Sequence, residues 1–337
     1  MERLKMDKNQ QPTLKKLFSF FKLTASQKEH ALRPIDIHTW ITHGISEFFG
    51  TLFLSIILAG LSIYVSNYTI QSWSLLSQGL VGFFSGFIVL GTALVIFSRW
   101  SCDLNPIISI TKYLKGQNNG WYASYKIFMQ FLAAFVAGAI ILAIGNATSS
   151  SDLPNAPINA YISAQQTFLT QISNLKPSIN LGIIVIFFTE LVICLILLFG
   201  YFSPIIKEQY RYFMLLFLYS ALIWLGILGG SQAANPARGL AQQLPSMFLY
   251  AADNTNASKV INTVAISTVT MLLAESISTA LYVFLQGFNE YYFAPFLHKI
   301  IKFKNNHHKT LITNKDFKIL CECPEEDQKN HNHKKKD

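Results

Sequence analysis

The sequence predicts an all-α membrane protein in which six transmembrane helices and two half-helices form an inverted repeat. Three observations predict it. Apolar residues gather in six runs long enough to cross a bilayer. Two Asn-Pro boxes open short apolar stretches that are not long enough to do so. The order of spans and boxes then occurs twice along the chain.

The runs come first. Of 337 residues, 51% are hydrophobic and only 13% charged, with 27 Phe. A soluble core of this size needs far less. The runs cover 43–65, 77–97, 121–145, 181–203, 211–230 and 261–287. At 1.5 Å rise per residue, ~20 residues cross a hydrocarbon layer of ~30 Å. The channel domain is therefore expected over 43–287, with a first repeat at about 43–145 and a second at about 181–287. A basic tail, 1–42, precedes it, and a largely disordered tail, 288–337, follows.

The net charge of +9 orients the chain and does not point to nucleic acid. Eight Lys and Arg precede the first span, four lie around the second connection (Arg99, Lys112, Lys115, Lys126), two in the fourth (Lys207, Arg211) and ten after the last span. With six spans all of these share one side, which places both termini in the cytoplasm. Only Lys176, Arg238 and Lys259 remain. No cleavable signal peptide is expected, because the N-terminus is polar and basic and the first apolar run is too long. Within the first tail, Leu14, Leu17, Phe18 and Phe21 follow helical spacing, which suits either an interfacial helix or an unstructured arm. Asn67, Asn146 and Asn256 each begin an Asn-x-Ser/Thr sequon on the side opposite the tails. Cys102, Cys194, Cys321 and Cys323 form no disulfide framework. Cys321 and Cys323, with the nearby tail histidines, match no standard zinc spacing, so no metal and no cofactor are expected.

The boxes carry the function. Asn105-Pro106-Ile107 and Asn235-Pro236-Ala237 each place a favoured N-cap before a favoured first helical residue. About 10 residues of helix reach roughly half the bilayer thickness. Three spans per half is an odd number, so the second copy runs inverted and the two half-helices enter from opposite faces. Their N-termini then point at each other, each with unpaired N–H groups and about half a positive charge. Such a junction opposes cations, protons included, and irregular backbone at that depth is tolerated where it lines a cavity or is buried in protein. Arg238 sits in the first turn of the second half-helix, against the dipole, where it is expected to narrow the pore and repel cations. Ile108 occupies the matching place in the first.

Each half also opens with a span bearing one carboxylate, Glu47 and Glu190. Two roles fit them. They carry protons or ions, as in an ion-coupled secondary transporter, or they accept hydrogen bonds from loop N–H groups that interrupted helices leave unpaired. Glu275 in the last span has no counterpart in the third and receives no assignment.

These residues resemble the major intrinsic protein family of aquaporins and glycerol facilitators. The resemblance rests on the doubled boxes, the run Asn235-Pro236-Ala237-Arg238, the glutamates of the first and fourth spans, and Tyr125–Gln130 in the third. It implies a right-handed helical bundle, assembled as a homotetramer with one pore per subunit. It further implies passive passage of water and small neutral solutes such as glycerol, urea or ammonia, no enzymatic activity, and no partner beyond solute, lipid bilayer and sister subunits. Gly82-x-x-x-Gly86 fits close helix packing. Departures from the family pattern stand at Ile107, where the first box usually has Ala, and at Asp103 at the inner mouth, where His is usual. Gly239 replaces the Asp of glycerol facilitators. Counting from the two asparagines places the outer filter at Ser85, Ile223, Gln232 and Arg238. A slip of register brings Phe84 or Trp224 there instead.

Overall fold

The protein is described by a computed structural model covering residues 29–60, 64–65, 68–69, 78–148, 155–167, 175–204, 206–252 and 261–307. The possible amphipathic segment in the first tail, Asn67, Asn256 and the tail cysteines lie outside the described residues. So do residues 308–337.

The architecture is all-α, with six helices among the described residues long and apolar enough to cross a membrane. The first span is Ile37–Gly60, followed by a two-residue ribbon in which Tyr64–Val65 pairs antiparallel with Tyr68–Thr69. The second runs as Gln78–Phe83, a π-helical segment Phe84–Leu90, and Gly91–Phe97. The first half-helix, Pro106–Leu114, leads to the third span, Gly120–Thr148. A short helix, Ala160–Gln166, interrupts the long loop before the fourth and fifth spans, Ile179–Phe202 and Glu208–Gly229. The second half-helix, Pro236–Ala252, precedes a π-helical turn Ile261–Ala265 and the last span, Ile266–Phe288.

Three boundaries differ from the sequence expectation, each for a local reason. The first span begins at Ile37, six residues before 43, because Asp36 caps it: its carboxylate accepts from the Thr39 amide and hydroxyl, both at 2.8 Å. Those bonds, the amide first, hold the Asp36 carboxyl below the usual carboxylate range. The second half-helix has 17 residues where about 10 were expected, and carries Pro245 inside it. Its later turns are tied to the loop 155–158. Asn155 donates to the Gln242 carbonyl at 2.7 Å, and Gln243 exchanges bonds with both the N–H and the C=O of Ile158, at 2.7 and 2.9 Å. Finally, residues 286–307 form a separate unit that is helical through His307, as Asn289–Phe293 and Ala294–His307, where a disordered tail was expected from 288.

Large apolar side chains such as Val95, Phe128, Phe188, Phe217 and Val269 face outward, each more than half exposed. On a soluble surface so many outward apolar groups would drive aggregation; against lipid tails they cost nothing. The interior is filled instead by contacts that small residues permit. Ala134 and Ala137 of the third span meet Ala237 and Ala241 of the second half-helix, all fully buried. At Gly86 a Cβ would lie 2.3 Å from the Leu216 carbonyl oxygen and 2.1 Å from the Ser220 hydroxyl, so the second and fifth spans cross there in backbone contact.

Candidate functional site

The two boxes meet at the centre of the bundle. Asn105 caps its own half-helix by accepting from the Ile107 amide at 3.1 Å, and donates from Nδ2 to the Ala234 carbonyl at 3.0 Å. Asn235 repeats the pattern, accepting from the Ala237 amide at 3.0 Å and donating to the Leu104 carbonyl at 2.8 Å. Each asparagine therefore caps one half-helix and ties it to the loop of the other. Pro106 and Pro236 occupy the first helical positions, where a missing N–H costs nothing.

The residues just before the boxes, Leu104 and Ala234, have φ of 51° and 54°, the only non-glycine residues with positive φ among the described residues. This left-handed backbone costs roughly 1–2 kcal/mol per residue, and one buried carboxylate holds each turn in place. Glu47 accepts from the Leu104 amide at 2.8 Å, the Asp103 amide at 2.9 Å, the Ser101 hydroxyl at 2.5 Å and the Gln130 amide at 2.8 Å. Glu190 accepts from the Ala234 amide at 2.9 Å, the Ala233 amide at 2.7 Å and the Ser231 hydroxyl at 2.5 Å. Ser101, Asp103 and Leu104 correspond to Ser231, Ala233 and Ala234 at the same 130-residue offset as the asparagines. Both carboxylates thus accept hydrogen bonds from the amides of the loop that leads into a box.

Arg238 is 4% exposed, and no carboxylate among the described residues lies within salt-bridge distance of it. Its guanidinium donates to the Gln232 carbonyl at 2.9 Å and to the Leu58 carbonyl of the first span at 3.2 Å. Ile223 is buried in one cluster with Leu58, Val81 and Tyr219. Ser85, in the π-helical segment, is 2% exposed and donates to the Val81 carbonyl at 2.8 Å. The alternative Trp224 instead lies against Gly82, whose Cβ would meet its indole nitrogen at 2.2 Å, and Phe84 packs partly buried on the same cluster. Gly239 has no room for a side chain, since a Cβ there would lie 2.6 Å from the Met271 sulfur. Tyr219, one helical turn before Ile223, is buried beside them with Arg238 among the charges that act on its hydroxyl. An aromatic residue inside a Phe-rich span carries no sequence signal that could have singled it out.

Ile107 is fully enclosed in the same cluster as Ile108 and Leu104. It therefore serves the packing behind the first box. Ile107→Ala is expected to cost about 2–5 kcal/mol through the cavity it leaves, seen as a lower thermal transition in detergent.

Asp103 does not stand alone at the mouth. One carboxylate oxygen accepts from the Lys112 ammonium; the other accepts from Lys126 at 2.7 Å and the Ser109 hydroxyl at 2.8 Å. Lys126 also lies 3.8 Å from Glu47 and 4.6 Å from the centre of the Tyr122 ring. Lys126, counted among the cations around the second connection, is 3% exposed inside the third span. A lysine six residues into a span was the available signal, because a buried cation needs a carboxylate. Asp103→Asn leaves Lys126 with less compensation and is expected to cost roughly 3–5 kcal/mol. Retention of the wild-type melting temperature would contradict that assignment.

Two half-helices joined N-terminus to N-terminus within an inverted six-span repeat define the aquaporin-like fold of the major intrinsic proteins. Among solved structures, the aquaglyceroporin from Plasmodium falciparum shares it with a TM-score of 0.51 and 18% sequence identity, over 77% of this chain and 99% of that one. At that identity the likeness is one of fold. No family model matches the sequence, and no curated protein matches it.

Proposed function

We propose that the protein is a passive transmembrane channel for water and small neutral solutes that excludes protons and ions. The observation that carries this reading is the reciprocal tie between Asn105 and Asn235, which holds two helix N-termini face to face. Each terminus presents about half a positive charge, and their sum opposes any cation at the junction. Each asparagine amide has two hydrogens and uses one across the junction, so the second is available to a guest that can accept it. Arg238 adds a full positive charge, and Ser85, Ile223 and Gln232 complete the narrow outer ring with it. The small Ser85 and apolar Ile223 suit a ring that also admits solutes larger than water. The proposal includes a homotetramer in the cell membrane with both termini cytoplasmic, as the charge distribution favours.

The ion-coupled alternative needs a carboxylate free to bind and release its cargo. Both oxygens of Glu47 and of Glu190 are instead committed to loop donors, which supports the channel. The test is osmotic shrinkage of proteoliposomes exposed to water, glycerol, urea and ammonia gradients. Flux well above lipid controls, indifferent to imposed proton or sodium gradients, is the expected result. A requirement for such a gradient would favour a transporter, and no flux above controls a closed structural protein.

A further inference from the structure

Glu275 is fully buried in the last span; neither of its carboxylate oxygens makes a hydrogen bond of normal geometry, and the Asn235 amide is the backbone donor that acts on it. It faces Glu190, and the ligand atoms of Glu190, Cys194 and Glu275 lie within 4.8 Å of one another. Two buried carboxylates this close repel strongly if both are ionised. Glu190 is the one whose charge is used, since three donors point at it. Arg238 is the cation acting on both glutamates, and it can balance only one negative charge.

The repeat shows what belongs at this position. In the first half, Gln130 of the third span donates its amide to Glu47 at 2.8 Å and to Ser109 at 3.3 Å. Glu275 stands to Glu190 as Gln130 stands to Glu47, on the corresponding span of the inverted half. A glutamine there would donate; a carboxylate cannot, but a carboxylic acid can.

We propose that Glu275 is a neutral carboxylic acid sharing its proton with Glu190, and that it acts as the positioning residue of the second box. The proton lies between the two carboxyl groups, directly or through one bridging water. It replaces the amide hydrogen that Gln130 supplies in the first half. Glu190 thereby keeps its charge for the amides of Ala233 and Ala234, and the turn that aims Asn235 stays in register. The consequence for flux rests on the channel reading; the protonation does not.

The groups facing Glu275 define its pH response. They are Glu190 and Cys194 of the fourth span, Arg238 of the second half-helix and Tyr219 of the fifth span. As pH rises and the proton leaves, a second negative charge appears beside Glu190 and flux falls.

Infrared spectroscopy of the full-length protein in liposomes tests this directly. The wild type should show the carbonyl stretch of a protonated carboxylic acid at neutral pH, shifted in heavy water, and Glu275→Gln should lose it. Glu275→Gln should retain water flux and abolish the alkaline fall, whereas Glu275→Leu, which cannot donate, should lower both flux and thermal stability. Absence of a band difference between wild type and Glu275→Gln would overturn the proposal. So would one equivalent of divalent metal in the purified wild type by elemental analysis, because a cation would then balance the two carboxylates. If wild-type liposomes show no flux at all, the channel reading fails, while the band still decides the proton.

Discussion

Arg238→Ala is expected to raise glycerol and urea permeability at least tenfold and to open a measurable proton leak, while changing water flux far less. Two effects act together. The substitution removes the guanidinium spanning the Gln232 and Leu58 carbonyls, so the ring widens. It also deletes a unit charge that is 4% exposed and that no carboxylate among the described residues pairs within salt-bridge distance. At an effective dielectric constant of 20, a unit charge 4 Å from a passing cation is worth about 4 kcal/mol, and each 1.4 kcal/mol is about tenfold. The half-helix dipoles remain, so the leak should be partial. Liposomes loaded with a pH-sensitive dye and assayed for solute entry give both quantities. Unchanged selectivity together with an unchanged proton leak would remove Arg238 from the pore.

Glu190→Ala is expected to prevent stable folding. It strands the Ser231 hydroxyl and the amides of Ala233 and Ala234 inside the bundle. Each unsatisfied buried group costs about 1–3 kcal/mol, and Ala234 loses the bond that holds its backbone at φ 54°. The total is a large part of the 5–15 kcal/mol that typical proteins have in hand. Glu190→Gln keeps one acceptor oxygen and should lose less. The measurement is the fraction of monodisperse protein after detergent extraction and its melting temperature. A Glu190→Ala protein as stable as wild type would mean the carboxylate does not hold the loop.

Much of this arrangement was legible in advance because it obeys rules of short range. An apolar run of ~20 residues has one low-energy solution in lipid, a helix, since no water is there to satisfy its backbone. Asn-Pro reads as a cap followed by a first helical turn wherever it occurs. The duplicated order of elements supplied the symmetry. The site partners were less legible. Lys126 and Asp103 are 23 residues apart, and only the fold brings them to 2.7 Å. Glu275 had no counterpart at the level of residue type, because its equivalent is a glutamine and the equivalence is one of position.

By itself, then, the chain's order of residues determined the six spans, the two capped half-helices, their inversion and the pair of carboxylates, because each follows from periodicity, capping or parity of crossings. Tertiary structure alone decided which carbonyls the asparagines and Arg238 reach, which loop amides Glu47 and Glu190 accept from, and that Glu275 confronts Glu190. Those outcomes depend on where distant helices cross, and crossings are settled by side-chain volume at contacts such as Gly86 on Leu216 and Ala137 on Ala241.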